Sequence, residues 1–259
     1  MTVSGNVKHA RRKEILKELG LTPLWRARVP DTPNHASPAV TGEHVSISQA
    51  QVNAGAEDRR STILRMDWDQ LKMSVEGCIA CPLCQSRSRT VFGIGDRNAD
   101  WLYVGEGPGV QEDATGEPFV GPAGKLLDNM LAAINLKRGR NVYIANIVKC
   151  RPPGNRNPNS HEAQQCEPYL ARQIALIQPK LIIALGKVAA QNLLNTDATL
   201  AALRGRLHEH SGIPVIVTYH PAYLLRTLAD KAKAWEDLCF ARSTMQSLQS
   251  GDLIPTYDR

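Results

Sequence analysis

Four cysteines in two places carry the first chemical signal in this chain. Cys78 and Cys81 form a C-x-x-C pair, and Cys150 and Cys166 follow far downstream in KCRPPGNRNPNSHEAQQC. Between the pairs lies a glycine- and acid-rich stretch, GEGPGVQEDATGEPFVGPAGK. Clustered thiolates suit a soft metal centre, zinc or an iron–sulfur cluster, that ties distant segments together. Zinc ribbons bring two compact C-x-x-C knuckles, whereas fifteen residues separate the second pair here. That spacing tilts the reading only slightly towards a cluster. His161 is either a zinc ligand or a solvated residue at a helix start, and Cys150 and Cys166 could simply be independent buried thiols. Cys84 could stand in for Cys81, and Cys239 reads as a core residue.

The elements that must position these residues become regular near residue 100. WLYVG (101–105), NVYIANIV (141–148), LIIALG (181–186) and PVIVTYH (214–220) read as strands. Helical patterns follow at 125–136, 160–177, 187–194 and 229–248, the second with Asn159 as N-cap and Glu162 completing a capping box. Strand–helix alternation predicts an α/β fold: a four-stranded, mainly parallel sheet flanked by helices in an α/β/α sandwich. Ligands of such sheets sit at the carboxyl ends of the strands. The residues placed there are Gly105–Gly109, Asn146 and His220. Gly124-Lys125 is followed by Leu126, so the glycine-rich stretch is not a Walker loop.

Upstream, 61–75 reads as a helix leading into Cys78. Residues 8–19 read as a short basic amphipathic helix with Ile15, Leu16 and Leu19 on one side. Residues 27–60 hold Pro30, Pro33 and Pro38 and little periodicity, as a disordered linker would. The expected division is therefore a docking peptide at 1–26, a linker at 27–60 and a catalytic domain at 61–259. The 259 residues, 42% apolar, suffice for one well-filled core. A net charge of +6 is compatible with a nucleic-acid partner and does not by itself require one. No window is apolar enough for a membrane span, and no apolar N-terminal run suggests secretion. A cytoplasmic, reducing compartment is expected, where clustered cysteines are metal ligands or redox groups more often than disulfides.

Three long stretches carry a resemblance to a known family: GEGPGVQED with GEPFVGPAGKLLDNML, then VYIANIVKCRPPGNRNP, then HPAYLLR. They resemble the family 4, iron–sulfur uracil-DNA glycosylases, in order, over roughly residues 75–245. The resemblance implies a [4Fe–4S] cluster on Cys78, Cys81, Cys150 and Cys166, structural in role. It implies an enzyme that flips uracil out of DNA and hydrolyses its N-glycosidic bond, leaving an abasic site.

Such chemistry requires a donor for uracil O2, a reader of the base edge, an aromatic face and an acid that holds water. His220 is the expected donor, stabilising charge that develops on O2. The amide of Asn146 offers a donor and an acceptor to the O4/N3–H edge, where cytosine presents the opposite pattern. Phe119 is the expected stacking ring. Glu106 and Glu112 are the expected catalytic acids, with Asp113 a further candidate. Gly107 stands where family 1 enzymes carry a water-activating aspartate. Gly105 and Gly107 should let backbone approach the base. Leu224 or Leu225 is expected to wedge into the gap left by the base, and Arg151, Arg156 and Arg226 to contact phosphates.

Uracil-containing DNA is the expected partner, bound by a monomer. LKELGLTPLWRARVP, with Trp25, resembles the N-terminal peptide of the clamp-loader psi subunit, so residues 1–30 are expected to dock on a replication or clamp-loader protein. Two alternatives remain at this level. One is a superfamily member with another substrate or a covalent product trap, although KCRPPGNRNP shows no insertion of the covalent kind. The other is an iron–sulfur DNA-binding module without activity.

Overall fold

A computed structural model describes residues 58–252 of the chain. The expected docking peptide and all but the last residues of the expected linker lie outside them. Residues 58–63 are helical, and Arg59 donates to the Gln165 carbonyl, so folded structure reaches back to 58.

Six strands form one sheet: β1 (Ile94–Gly95), β2 (Trp101–Gly105), β3 (Val142–Asn146), β4 (Leu181–Leu185), β5 (Leu207–His210) and β6 (Ile213–Thr218), in the order β1-β3-β2-β4-β6-β5. The expected four strands are the central ones, and all of them run parallel. The two additional strands are antiparallel edges. β1 has two residues and no pattern to read. In β5, LHEH alternates exposed and half-buried residues with no apolar face. Its one legible sign was Ser211-Gly212, a two-residue hairpin loop with φ of 51° and 80°.

The helices are α1 (Trp68–Glu76), α2 (Val110–Thr115), α3 (Pro122–Ala133), α4 (Ser160–Ile177), α5 (Lys187–Leu194), α6 (Leu200–Leu203), α7 (Pro221–Leu224) and α8 (Lys231–Ser250). The expected helix at 61–75 is interrupted before α1, because Asp67 caps a new start: its carboxylate accepts from Gln70 N–H while Gln70 accepts from Asp67 N–H. α4 begins where the sequence placed it, with Asn159 and Glu162 exchanging the same pair of bonds.

Side chains alternate across the strands and so feed two cores. Leu102, Val104, Tyr143, Ala145, Ile182 and Ala184 pack with α1, α4 and α5 on one face. Trp101, Tyr103, Val142, Ile144, Leu181 and Ile183 pack with α3 and α8 on the other. β2, β3 and β4 are buried along their whole length and β6 over its last four residues, as parallel strands covered on both faces must be. Because β2, β3, β4 and β6 share a direction, their carboxyl ends open on one edge. Among the described residues no helix is long and apolar enough to cross a membrane.

Candidate active site and cysteine cavity

A cleft of about 780 Å³ lies along that edge, lined by Glu106, Gly107, Glu112, Phe119, Asn146, Tyr219 and His220 among others. Glu106, Gly107, Asn146, Tyr219 and His220 come from strand ends or the turns after them, Glu112 from α2 and Phe119 from the turn between α2 and α3. Gly105 lies beneath the lining rather than in it. A Cβ there would stand 2.4 Å from Asn146 Oδ1 and 2.6 Å from the Phe119 ring, so a glycine lets amide and ring approach each other. At Gly107 a Cβ would meet Val148 at 2.8 Å.

His220 is the N-cap of α7. Its Nδ1 accepts from the Ala222 N–H at 3.1 Å, which leaves the proton of a neutral ring on Nε2. Burial, aided by the Arg226 charge and opposed by Glu112, lowers its pKa to about 4. The ring is thus a neutral donor at pH 7. It lies 5.5 Å from the Phe119 ring, centroid to centroid, with the planes 31° apart. Gly186, at φ 90°, allows this placement: a Cβ on it would stand 2.8 Å from His220 Cβ. The sequence reading did not single out Gly186; its position after β4, facing the end of β6, was the available clue.

Phe119 sits at φ 55°, a left-handed conformation unusual for a bulky residue. Arg138 holds it there. Its guanidinium donates to the carbonyls of Pro118 at 2.8 Å and Phe119 at 2.9 Å, and pairs with Asp128 at 3.0 Å. Nothing in the sequence pattern marked Arg138, because the contact depends on how the turn folds back on α3.

Asn146 is buried, and its Oδ1 has no hydrogen-bond partner among the described residues. An orphaned buried acceptor costs about 1–3 kcal/mol, which a ligand donor in the cleft would relieve. The acids divide. Burial raises the Glu106 carboxyl above the ordinary carboxylate range, and its side chain lines the cleft. Glu112 uses both oxygens on backbone: Oε2 accepts from Gly109 N–H at 3.1 Å, and Oε1 from Val120 and Gly121 N–H at 3.0 and 3.1 Å. Asp113 points elsewhere and accepts twice from Ser88 N–H.

Of the outer candidates, Leu224 is buried in the core, whereas Leu225 is 43% exposed beside the cleft. Of the two wedge candidates, Leu225 is therefore the exposed one. Arg226 and Arg156 line the cleft, but Arg156 is clamped on the buried Glu162 by two bonds of 2.8 and 2.6 Å. Arg151 bonds Asn155 and does not line the cleft.

The cysteines form a second place. Cys78, Cys81, Cys84, Cys150 and Cys166 line one small cavity, while Cys239 sits on α8 and His161 is exposed on α4. Three of the sulfurs receive N–H donors: Arg87 to Cys150 at 3.2 Å, Lys149 N–H to Cys166 at 3.2 Å, and Arg59 to Cys78 at 3.8 Å. Burial raises the thiol pKa of Cys81 and Cys150 and pushes Cys166 up to about 12. Among the described residues no three metal-type side chains converge closely enough to hold one ion.

These features define an α/β/α protein whose cleft, at the carboxyl edge of a parallel sheet, offers a planar ligand an aromatic face, an amide and a neutral imidazole. A profile of the Uracil DNA glycosylase superfamily matches residues 92–239. The type-4 uracil-DNA glycosylase of Archaeoglobus fulgidus is 42% identical over 165 residues, covering 61% of this chain and 82% of the relative. Those of Pyrobaculum aerophilum (40% over 181 residues; 67% of this chain, 92% of the relative) and Thermotoga maritima (41% over 173; 65% and 90%) are similar as well. The chain belongs to the uracil-DNA glycosylase superfamily, in its type-4 branch.

Proposed function

We propose that this protein removes uracil from DNA by hydrolysing the N-glycosidic bond and leaves an abasic site. The observation that carries the reading is the pairing of a neutral His220, its Nε2–H free of the α7 cap, with the orphaned amide of Asn146 across one cleft. The relatives' names agree with it. In this reading Phe119 stacks on the flipped base and the Asn146 amide takes the O4/N3–H edge. The C1′–N1 bond breaks with its electron pair moving onto the uracil ring, where charge gathers on O2. His220 Nε2–H donates to that oxygen without surrendering its proton. Water then adds to the cationic C1′ and releases a proton. Glu106 is the acid that holds this water, since it lines the cleft and its carboxyl has no hydrogen-bond partner among the described residues. Glu112 is a positioning residue, fully engaged in bracing the turns that carry Glu106 and Phe119.

The cysteine cavity fits a [4Fe–4S] cluster held by Cys78, Cys81, Cys150 and Cys166. Four thiolates around a polynuclear cluster stand further apart than ligands on one zinc ion, each of which must reach a common centre at about 2.3 Å. N–H donors on the sulfurs suit cluster ligands. The cluster would supply structural cross-linking of the loop after α1, the exit of β3 and α4. Residues 1–30 are proposed to dock on a replication or clamp-loader protein.

The test of the activity is direct. Purified protein incubated with a uracil-containing oligonucleotide should release free uracil and leave an alkali-labile site at that position, with a thymine control intact. Intact strands after alkali would sink the reading.

A further inference from the structure

Lys149 follows Asn146 by three residues and folds its side chain back into the protein, where the residue is 1% exposed. Its Nζ donates to the Asn146 carbonyl at 3.0 Å and to Gln173 Oε1 at 2.6 Å. Gln173, on α4, is itself buried, and its amide donates to the Phe92 carbonyl at 2.9 Å. The Lys149 backbone is fixed as well: its N–H donates to Cys166 Sγ, and its carbonyl accepts from Val91 N–H at 2.7 Å. Lys149 pairs with no carboxylate among the described residues.

A buried ammonium with two neutral oxygen partners is an expensive way to fill space. Desolvating the ion costs several kcal/mol, whereas a methionine of similar length would pack there without that loss. What the ammonium reaches is therefore the informative part, and it reaches the backbone of Asn146. Within the protein nothing polar fixes the Asn146 amide through its oxygen, because Oδ1 has no partner. The aim of that amide rests on its close approach to Gly105 and on how firmly the backbone at the end of β3 is held. An amide that must read a base needs to be fixed before the base arrives.

We propose that Lys149 is a positioning residue for base recognition: its Nζ pins the Asn146 carbonyl, aims the amide into the cleft and anchors both to α4 through Gln173. The inference rests on the glycosylase reading above, and it names a group outside the cleft that acts on the base only through Asn146.

A double-mutant cycle on a uracil-containing oligonucleotide tests it, with wild type, Lys149→Met, Asn146→Ala and the pair. Lys149→Met alone should lower kcat/KM by about 10- to 100-fold, as a misplacement on the ångström scale does. Once the Asn146 side chain is gone, adding Lys149→Met should cost less than about threefold, because the two changes are coupled. Iron per chain should stay at the wild-type ratio, since the bond to Cys166 comes from the backbone. Equal losses with and without the Asn146 side chain overturn the proposal. Iron lost in step with activity overturns it too, since Lys149 would then act on the cysteine cavity. If Lys149→Met does not yield soluble protein, Gln173→Leu enters the same cycle, where a smaller coupling of the same sign is expected and strict additivity overturns the idea. A wild-type protein inactive on the oligonucleotide would fail the glycosylase reading itself, a result distinct from additivity in an active enzyme.

Discussion

The cleft and the cysteine cavity treat polar atoms in opposite ways. In the cleft, Asn146 Oδ1 is buried without a partner among the described residues, and Glu106 lines the wall. In the cavity, three sulfurs already receive N–H donors. An unsatisfied site holds its bonding capacity for a ligand that comes and goes. A site whose atoms are engaged from the protein side is shaped for an occupant that stays. The construction differs accordingly. The cleft gathers strand ends, the turns after them and helix starts along one edge of the sheet, whereas the cavity is stitched from a loop, a strand exit and a helix.

The sharpest way to break this contrast is to remove the cleft's donor. His220→Ala should lower kcat by about 10²–10³-fold with DNA affinity nearly unchanged, because the bond to O2 strengthens only in the transition state. Single-turnover kinetics and equilibrium DNA binding measure the two sides. A loss within about twofold would remove His220 from the mechanism.

Next comes the cavity. Cys150→Ala should strip iron and cost about 4 kcal/mol of stability, roughly 10 °C in Tm, through loss of a cross-link rather than of chemistry. Cys239→Ala should change neither iron content nor Tm. If Cys84→Ala also loses iron, the ligand set is wrong.

The two glutamates sharpen the comparison inside the cleft itself. Glu106→Gln should lower turnover while Tm holds, and Glu112→Ala should lower Tm through the loss of three charge-assisted bonds, each worth about 1.5–3 kcal/mol. The pH profile adds a sign. Glu106 must be ionised to hold water as an acceptor, and burial raises its pKa, so activity should fall as pH drops through a value above the usual carboxylate range. Glu106→Gln should abolish that limb. No limb should appear near the ordinary histidine value of about 6.5, because His220 stays neutral down to about 4. Stability carries the matching sign. The unfolded chain protonates His220 first, so its contribution is complete above about 6.5 and declines as pH falls towards 4. Thermal melts of His220→Gln should be flatter over that window.

The smallest effect is expected from the N-terminal arm. Removing residues 1–57, just short of the Arg59 contact with α4, should leave iron content and activity on short oligonucleotides within about twofold. A pull-down of replication proteins by residues 1–30, lost on Trp25→Ala, would support the tether. Loss of activity on free DNA after truncation would mean that the arm grips substrate or packs on the catalytic domain.

Much of this was legible in the chain. Four apolar runs ending in glycine or polar residues placed Gly105, Asn146 and His220 at strand ends, and a buried parallel strand leaves its last residue little choice of position. The α4 capping box was readable because it is a local exchange of bonds between residues three apart. Cysteine spacing announced a soft site without choosing the metal. The structure alone separated Glu106 from Glu112, since two acids six residues apart look alike until one is seen bonded to three backbone amides. It alone showed Leu224 buried and Leu225 exposed at the end of α7, which no local pattern distinguished. Arg138, Gly186, Lys149 and the edge strands β1 and β5 were likewise settled by contacts between segments far apart in the chain. Sequence fixes which groups exist and where strands must end; which groups meet, and which are left waiting for a partner, depends on long-range packing that no local pattern encodes.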